Sequence, residues 1–253
     1  LIDTDKLVRQ LHTLESVAVI PRVSSTNLIA RRIVEECINN ELSLPQAMII
    51  AGEQFAGRGR NQRTWSSPPG KGIYATTLLT RPARDVAIVP LAVAAIIAGY
   101  LAETFGIDAR IKWPNDVVAG GRKIAGTLIE ARTHDELAYM LIGIGVNVEP
   151  FKDDSRPNAT SIREAARRDF TGIEDATVRF VRYVDARLST DLRREDVLAE
   201  WRHLAIHRVG EPITCVIGNR TVSGTWEGID DFGRALLRHG RETMAISAGE
   251  LVG

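Results

Sequence analysis

Gly57-Arg58-Gly59-Arg60-Asn61-Gln62-Arg63 is preceded by Gln54 and followed by Trp65-Ser66-Ser67-Pro68. Three guanidinium groups alternate with glycine and small polar residues, and no helical or strand hydrophobic period runs through them. Glycine permits φ > 0 and lets backbone approach a ligand closely. Arginine supplies a planar donor fork that matches carboxylates and phosphates. The stretch reads as a loop that closes over an anion, although a solvated basic turn has the same composition. It lacks the third glycine of G-x-G-x-x-G, and no G-x-x-x-x-G-K-[ST] lies nearby, so neither a dinucleotide fold nor a P-loop is indicated.

Outward from this loop, Ala47 to Ala51 has the texture of a buried strand that delivers Gln54, and Ile73 to Leu79 is a second strand. Thr4 to Leu14 suggests a short amphipathic helix, and Ser16 to Val23 a strand. Leu28 to Val34 has helical spacing behind Ser24-Ser25-Thr26-Asn27, where a serine or Thr26 would serve as N-cap. A helix N-terminus also offers unpaired N–H groups, so a polar ligand could use the same hydroxyls. Residues 87–104 form an alanine-rich helix suited to packing on a sheet.

Ala109 to Trp113 reads as a strand stopped by Pro114. A hairpin follows, Val117-Val118-Ala119 and Arg122 to Glu130 about Gly120-Gly121. Tyr139 to Val148 is a further strand, and Gly143 and Gly145 leave one face open for something to approach. Phe151 to Thr160 is loop-like, Ser161 to Arg168 is helical, and Asp175 to Ile206 reads as one long helical stretch. Beyond His207, Pro212–Ile217, Thr221–Trp226, Ala235–Leu237 and Thr243–Ile246 are short strands between glycines, the pattern of a small barrel.

The chain has 253 residues, with 32 basic and 32 acidic side chains, so bulk electrostatic binding of nucleic acid is disfavoured. Cys37 and Cys215 match no metal spacing and read as thiols of a reducing compartment. No signal peptide is apparent, and the uncharged run Val86 to Ala102 is seventeen residues long and contains Pro90 and Gly99. A membrane-spanning helix needs about 20 apolar residues. A soluble, cytoplasmic protein is expected.

Lys112-Trp113-Pro114-Asn115-Asp116, with Lys123 on the returning hairpin strand, adds a second polar cluster. A lysine in that position usually extends to solvent. Taken together, Ser25-Thr26-Asn27, Gln54-x-x-Gly57-Arg58-Gly59-Arg60, Lys112 to Asp116, Arg122-Lys123-x-x-Gly126 and Gly143-x-Gly145-x-Asn147 resemble the biotin protein ligases in order and approximate spacing. The likeness extends into the C-terminal segment, through Gly210, Gly228-Ile229-Asp230 and Gly233 to Leu237. Asn61-Gln62 departs from the Arg-Gly that many members carry there.

The resemblance implies an α+β fold: a mixed sheet packed with helices, of the class II synthetase-like biotin/lipoate ligase type, in residues 1–206. A small SH3-like β-barrel is expected in 207–253. The segment before Ser24 is too short for a DNA-binding helix-turn-helix, so the ligase-only class is expected and no DNA partner. The implied reaction activates biotin with ATP and Mg²⁺ and passes it to a lysine of a biotin carboxyl carrier domain. A homodimer is compatible with the sequence, and a membrane partner is not expected.

By the same resemblance, Lys123, Arg58 and Arg60 carry the chemistry. Ser25, Thr26, Asn27, Gln54, Gly57, Gly59 and Gly126 frame biotin together with those three. Arg63, Lys112, Asn115 and Asn147 contact the nucleotide, with Ser161 a weaker addition. Trp65 and Trp113 suit either pocket walls or core. Asp116 suits either a general base or a hairpin strut, with the second favoured. No protein-only metal site is expected, because no carboxylate cluster stands out.

Overall fold

A computed structural model of the chain describes residues 4–153, 158–190 and 192–252. The expected loop 151–160 and long helix 175–206 each include positions outside that range, 154–157 and 191. Helix α1 (Thr4–Val8) is shorter than the predicted Thr4 to Leu14. It ends because the next backbone has a better partner: the buried Asp185 carboxylate accepts the N–H groups of His12, Thr13 and Leu14 at 2.6–2.9 Å. A carboxylate with several backbone donors is among the stronger neutralised arrangements in a protein interior.

Strand β1 (Ser16–Ile20), helix α2 (Thr26–Asn39) and strand β2 (Ala47–Ala51) form a crossover unit in which the strands pair in parallel, Val17 opposite Met48. The rest of the sheet is antiparallel: β3 (Gly72–Pro82), then, after α3 (Val89–Phe105), β4 (Ala109–Lys112), β5 (Asp116–Ala119), β6 (Arg122–His134) and β7 (Leu137–Asn147). The seven-stranded order is β1-β2-β3-β7-β6-β5-β4.

Strand alternation sorts the side chains onto two faces. Ile49, Leu78 and Leu141 meet Ala30, Val34 and Cys37 of α2. Met48, Ile73, Leu79, Ile142 and Val146 join the larger core with α3, which is apolar all round and accordingly buried. After the short helix α4 (Ile162–Ala165), the helical stretch is two helices, α5 (Ile173–Leu188) and α6 (Arg194–Leu204). The break follows from local chemistry. Ser189 and Thr190 turn their hydroxyls back onto the Ala186 and Arg187 carbonyls at 2.7 and 2.8 Å.

Five strands follow: β8 (Pro212–Ile217), β9 (Arg220–Ile229), β10 (Ala235–His239), β11 (Glu242–Ile246) and β12 (Glu250–Val252). They pair antiparallel in the order β11-β10-β9-β8-β12. No pairing among the described residues closes this antiparallel sheet, and β12 is a fifth strand beyond the four predicted. It docks on the larger layer through Trp113 Nε1, which donates to the Gly233 carbonyl at 2.9 Å, and through Arg202, which donates to the Ile229 carbonyl at 3.2 Å. No helix among the described residues is long and apolar enough to cross a membrane.

Candidate functional site

The α2-bearing face of the sheet opens at its glycine-rich end into a cavity of about 800 Å³. One end is built by the start of α2. Ser25 occupies the N-cap position in extended backbone, but its hydroxyl makes no capping bond. Instead Gln54 reaches across, its Oε1 accepting the Thr26 N–H at 2.8 Å while its Nε2 donates to Ser67 Oγ at 2.9 Å. The orphan donor of the first helical turn is thus satisfied by the residue that introduces the arginine loop. Asn27 is buried, donating from Nδ2 to the Leu128 carbonyl at 3.2 Å and to Glu130 Oε1 at 3.4 Å. Arg31 pairs with the other Glu130 oxygen at 2.5 Å.

Gly143 and Gly145 do leave a face open, and residues of the chain itself fill it. A Cβ on Gly143 would lie 2.3 Å from Asn27 Oδ1, and one on Gly145 would lie 2.3 Å from the Trp65 indole. Trp65 is therefore a cavity wall. Trp113 lines the cavity with one edge and is otherwise core.

The arginine loop folds back on itself, with Gly59 N–H donating to Arg63 O at 2.7 Å and Trp65 N–H to Gly57 O at 3.0 Å. Its glycines are not there for positive φ: that conformation falls on Asn61, at φ 52°. Gly57 is required by proximity, because a Cβ there would sit 2.3 Å from the Trp65 carbonyl. Arg58, Gly59, Arg60 and Arg63 all face the cavity, whereas Gly57 lies behind it.

The cationic end is held by short contacts. Lys123 Nζ is 2.6 Å from Asp116 Oδ1 and 5.2 Å from the Trp65 ring centre. Arg60 donates to Asn115 Oδ1 at 3.2 Å, and Asn115 Nδ2 donates to the Thr127 carbonyl. Burial lowers the Arg60 pKa, opposed by the charges of Asp116 and Glu250. Arg63 meets Glu250 at 2.5 Å; that hydrogen bond and charge raise the arginine and lower the carboxylate. Arg58 is exposed and makes no side-chain hydrogen bond or ion pair to a described residue.

Of the remaining expected residues, Lys112, Asn115, Gly126 and Asn147 line the same cavity. Asn147 Nδ2 is engaged with the carbonyls of Thr160 at 3.0 Å and Lys123 at 3.5 Å, so it braces the backbone of the lysine. Ser161 does not reach the cavity. It caps α4, its hydroxyl donating to Glu164 Oε2 at 2.8 Å. Glu250 was not anticipated, since it lies on a three-residue strand remote in sequence and only the fold brings it to Arg63.

The mixed sheet thus brings polar residues at a helix start and a basic loop to one cavity. The comparisons give the class. Residues 19–147 match the Biotin/lipoate A/B protein ligase family, and residues 209–252 match the Biotin protein ligase C terminal domain. The chain belongs to the biotin/lipoate protein ligase family. The biotin–[acetyl-CoA-carboxylase] ligase of Paracoccus denitrificans is 33% identical over 222 residues, covering 81% of this chain and 89% of that protein. The bifunctional ligase/repressor BirA of Bacillus subtilis is 38% identical over 128 residues, 47% of this chain but only 39% of that protein. In fold, the chain resembles a biotin protein ligase from Aquifex aeolicus in complex with biotin and ATP, with TM-score 0.73 at 22% identity, over 93% of this chain and 97% of the other.

Proposed function

We propose that this protein activates biotin with ATP and transfers it to a lysine of a biotin carboxyl carrier domain. The observation that carries the reading is the cavity itself: Lys123, Arg60, Arg63 and Arg58 converge at one end, and Ser25, Thr26, Asn27 and Gln54 at the other. In the first step a biotin carboxylate oxygen attacks the α-phosphorus of ATP, the bond to the β-phosphate breaks, and pyrophosphate leaves. The nucleophile is already ionised, so the site must supply positive charge and alignment rather than a base. Lys123 is assigned to the meeting point of carboxylate and α-phosphate, and the loop arginines to the phosphates and the biotin cover. Lys112, Asn115 and Asn147 are assigned to the nucleotide.

In the second step the acceptor amine attacks the acyl carbon, AMP leaves, and the amine proton must be taken up. Asp116 is assigned mainly to holding Lys123 in place, given their 2.6 Å contact. Mg²⁺ would arrive on the phosphates of ATP and be held by them and water; among the described residues no group of three His, Cys, Asp or Glu could enclose it. The domain boundary is placed at 206/207, between the end of α6 and the start of β8. An SH3-like character for the second unit is supported by its short antiparallel strands and by the register shift opposite Leu236/Leu237, which bends β9. A cytoplasmic site of action follows from the sequence reading, and a homodimer is compatible with it; sedimentation velocity tests the second.

The decisive experiment is ATP–pyrophosphate exchange with biotin, lipoate or octanoate as the only acid. Biotin-dependent exchange is the expected result. Exchange with lipoate or octanoate instead would move the protein to the lipoate branch of the family. Exchange with none of them would overturn the enzymatic reading.

A further inference from the structure

Thr76 on β3 is fully buried (0% exposed) and does not line the cavity, yet its hydroxyl lies 2.7 Å from Thr26 Oγ1 and 2.6 Å from Asn27 Oδ1. It has one proton to give. The Asn27 amide is oriented by its other side, where Nδ2 meets two acceptors, the Leu128 carbonyl and Glu130. Its Oδ1 therefore faces Thr76 and can only accept, so Asn27 Oδ1 and Thr26 Oγ1 share the one Thr76 proton. Thr26 Oγ1 accepts from Thr76 across the 2.7 Å contact. The Thr26 hydroxyl gives its own proton to Gln54 Oε1 at 3.1 Å, the oxygen that also takes the Thr26 N–H at 2.8 Å. Thr26 lines the cavity, and with its proton committed to Gln54 its oxygen can only accept.

A second feature serves the same arrangement. Gly143 is the cross-strand partner of Thr76, and it is the glycine whose absent side chain admits Asn27 Oδ1. We infer that Thr76 is a positioning residue for substrate choice: from behind the cavity its hydroxyl holds Thr26 Oγ1 and Asn27 Oδ1 in place, so that the wall accepts from N–H donors. The inference rests on the reading of the cavity as a biotin site. A cyclic urea offers N–H groups to such a wall; an alkyl acid does not. Without the Thr76 hydroxyl, Thr26 Oγ1 and Asn27 Oδ1 both lose their shared buried donor.

The test uses the whole protein, with exchange kinetics and calorimetric titration of biotin. Thr76→Val should raise the biotin KM and Kd by about tenfold, the scale of one lost net hydrogen bond. The ATP KM, and kcat at saturating biotin, should move by less than about twofold. Thr76→Ser, which restores the hydroxyl, should stay within about twofold of wild type throughout. Should the valine variant fail to fold, Thr76→Ala removes the same hydroxyl with no added bulk and carries the same expectation. A hydroxyl-free variant that binds biotin like wild type, or a serine variant as impaired as the valine one, overturns the inference. So does a parallel rise in the ATP KM, which marks general loosening of the site. Wild-type protein without biotin-dependent exchange would instead bring down the functional reading, whatever the variants do.

Discussion

Replacing Lys123 with methionine keeps the packing of its stem against Trp65 and Gly126 and removes only the charge. Two unit charges about 4 Å apart interact by roughly 4 kcal/mol at an effective dielectric of about 20. The Lys123 side chain is 35% exposed, and discounting by that fraction leaves about 2.7 kcal/mol, or about 10² in rate. Losing one preorganised transition-state donor costs about 10² to 10³, so the two routes agree. The expected result is ATP–pyrophosphate exchange slowed by about 10², with the ATP KM less affected. The variant also strips Asp116 of its counter-ion, leaving a carboxylate beside two anionic substrates. Repulsion at about 7 Å with a dielectric near 40 is about 1 kcal/mol. Adding Asp116→Asn to Lys123→Met should therefore restore roughly fivefold, whereas Asp116→Asn alone should slow the reaction or leave it little changed. Exchange by the methionine variant within about threefold of wild type would refute the role of the lysine. No recovery in the double variant would refute the account of the pair as charge compensation.

Arg60→Gly should loosen the hold on the adenylate, and trapping of released biotinyl-AMP with a bystander amine should exceed wild type; equal release would count against the loop as a cover. Gly145→Ala should lower the melting temperature, since overpacking costs about 1–3 kcal/mol and its Cβ would lie 2.3 Å from Trp65. In a Trp65→Ala background the same change should cost much less, and additive effects would sink the contact argument. His207 is held below the ordinary histidine range mainly by burial, opposed by the hydrogen bond and charge of Glu211. Its folded pKa lies below the unfolded one, near 6.5, so this contribution to stability is complete above about pH 6.5 and is lost as pH falls through the folded value. His207→Gln should flatten the drop in melting temperature between about pH 7.5 and 5.5; an unchanged slope would exclude the residue.

Much of the larger layer could be read from local pattern. The apolar runs at Ala47 and Ile73 became β2 and β3, and the proline after Trp113 stopped β4 where expected. Several of the misses share a physical cause, a partner distant in sequence. Asp185 ends α1 from 171 or more residues away. Gln54 takes the capping role that composition assigned to a serine or Thr26, which leaves the Ser25 hydroxyl uncommitted as a cap. Of the two reasons for glycine in the loop, φ > 0 and close approach, Gly57 answers to close approach, of the Trp65 carbonyl, and the left-handed residue is Asn61. Strand β12 has three residues, too few to show any period, and it carries the carboxylate that meets Arg63.

That carboxylate bears on how the site stands ready. Arg58, Arg60, Arg63, Lys112 and Lys123 line one cavity and would repel one another and splay the loop if nothing answered them. Three are answered: Lys123 by Asp116, Arg63 by Glu250 and Arg60 by the Asn115 carbonyl. The ion pairs are weak by construction. Their side chains are 35% and 29% exposed in the first and 66% and 44% in the second, and such pairs contribute about 0–1 kcal/mol. They hold each cation extended over the cavity at small cost, and a carboxylate or phosphate can exchange for them. Because Glu250 comes from the C-terminal sheet, that exchange also bears on the contact between the loop and the sheet. Glu250→Gln separates the two effects: it keeps the side-chain shape while removing the charge. If the pair only parks Arg63, this variant should leave the ATP KM within about threefold and unfold with the same cooperativity, as expected for an exposed pair. A larger rise would mean that the carboxylate positions the arginine for the phosphates as well.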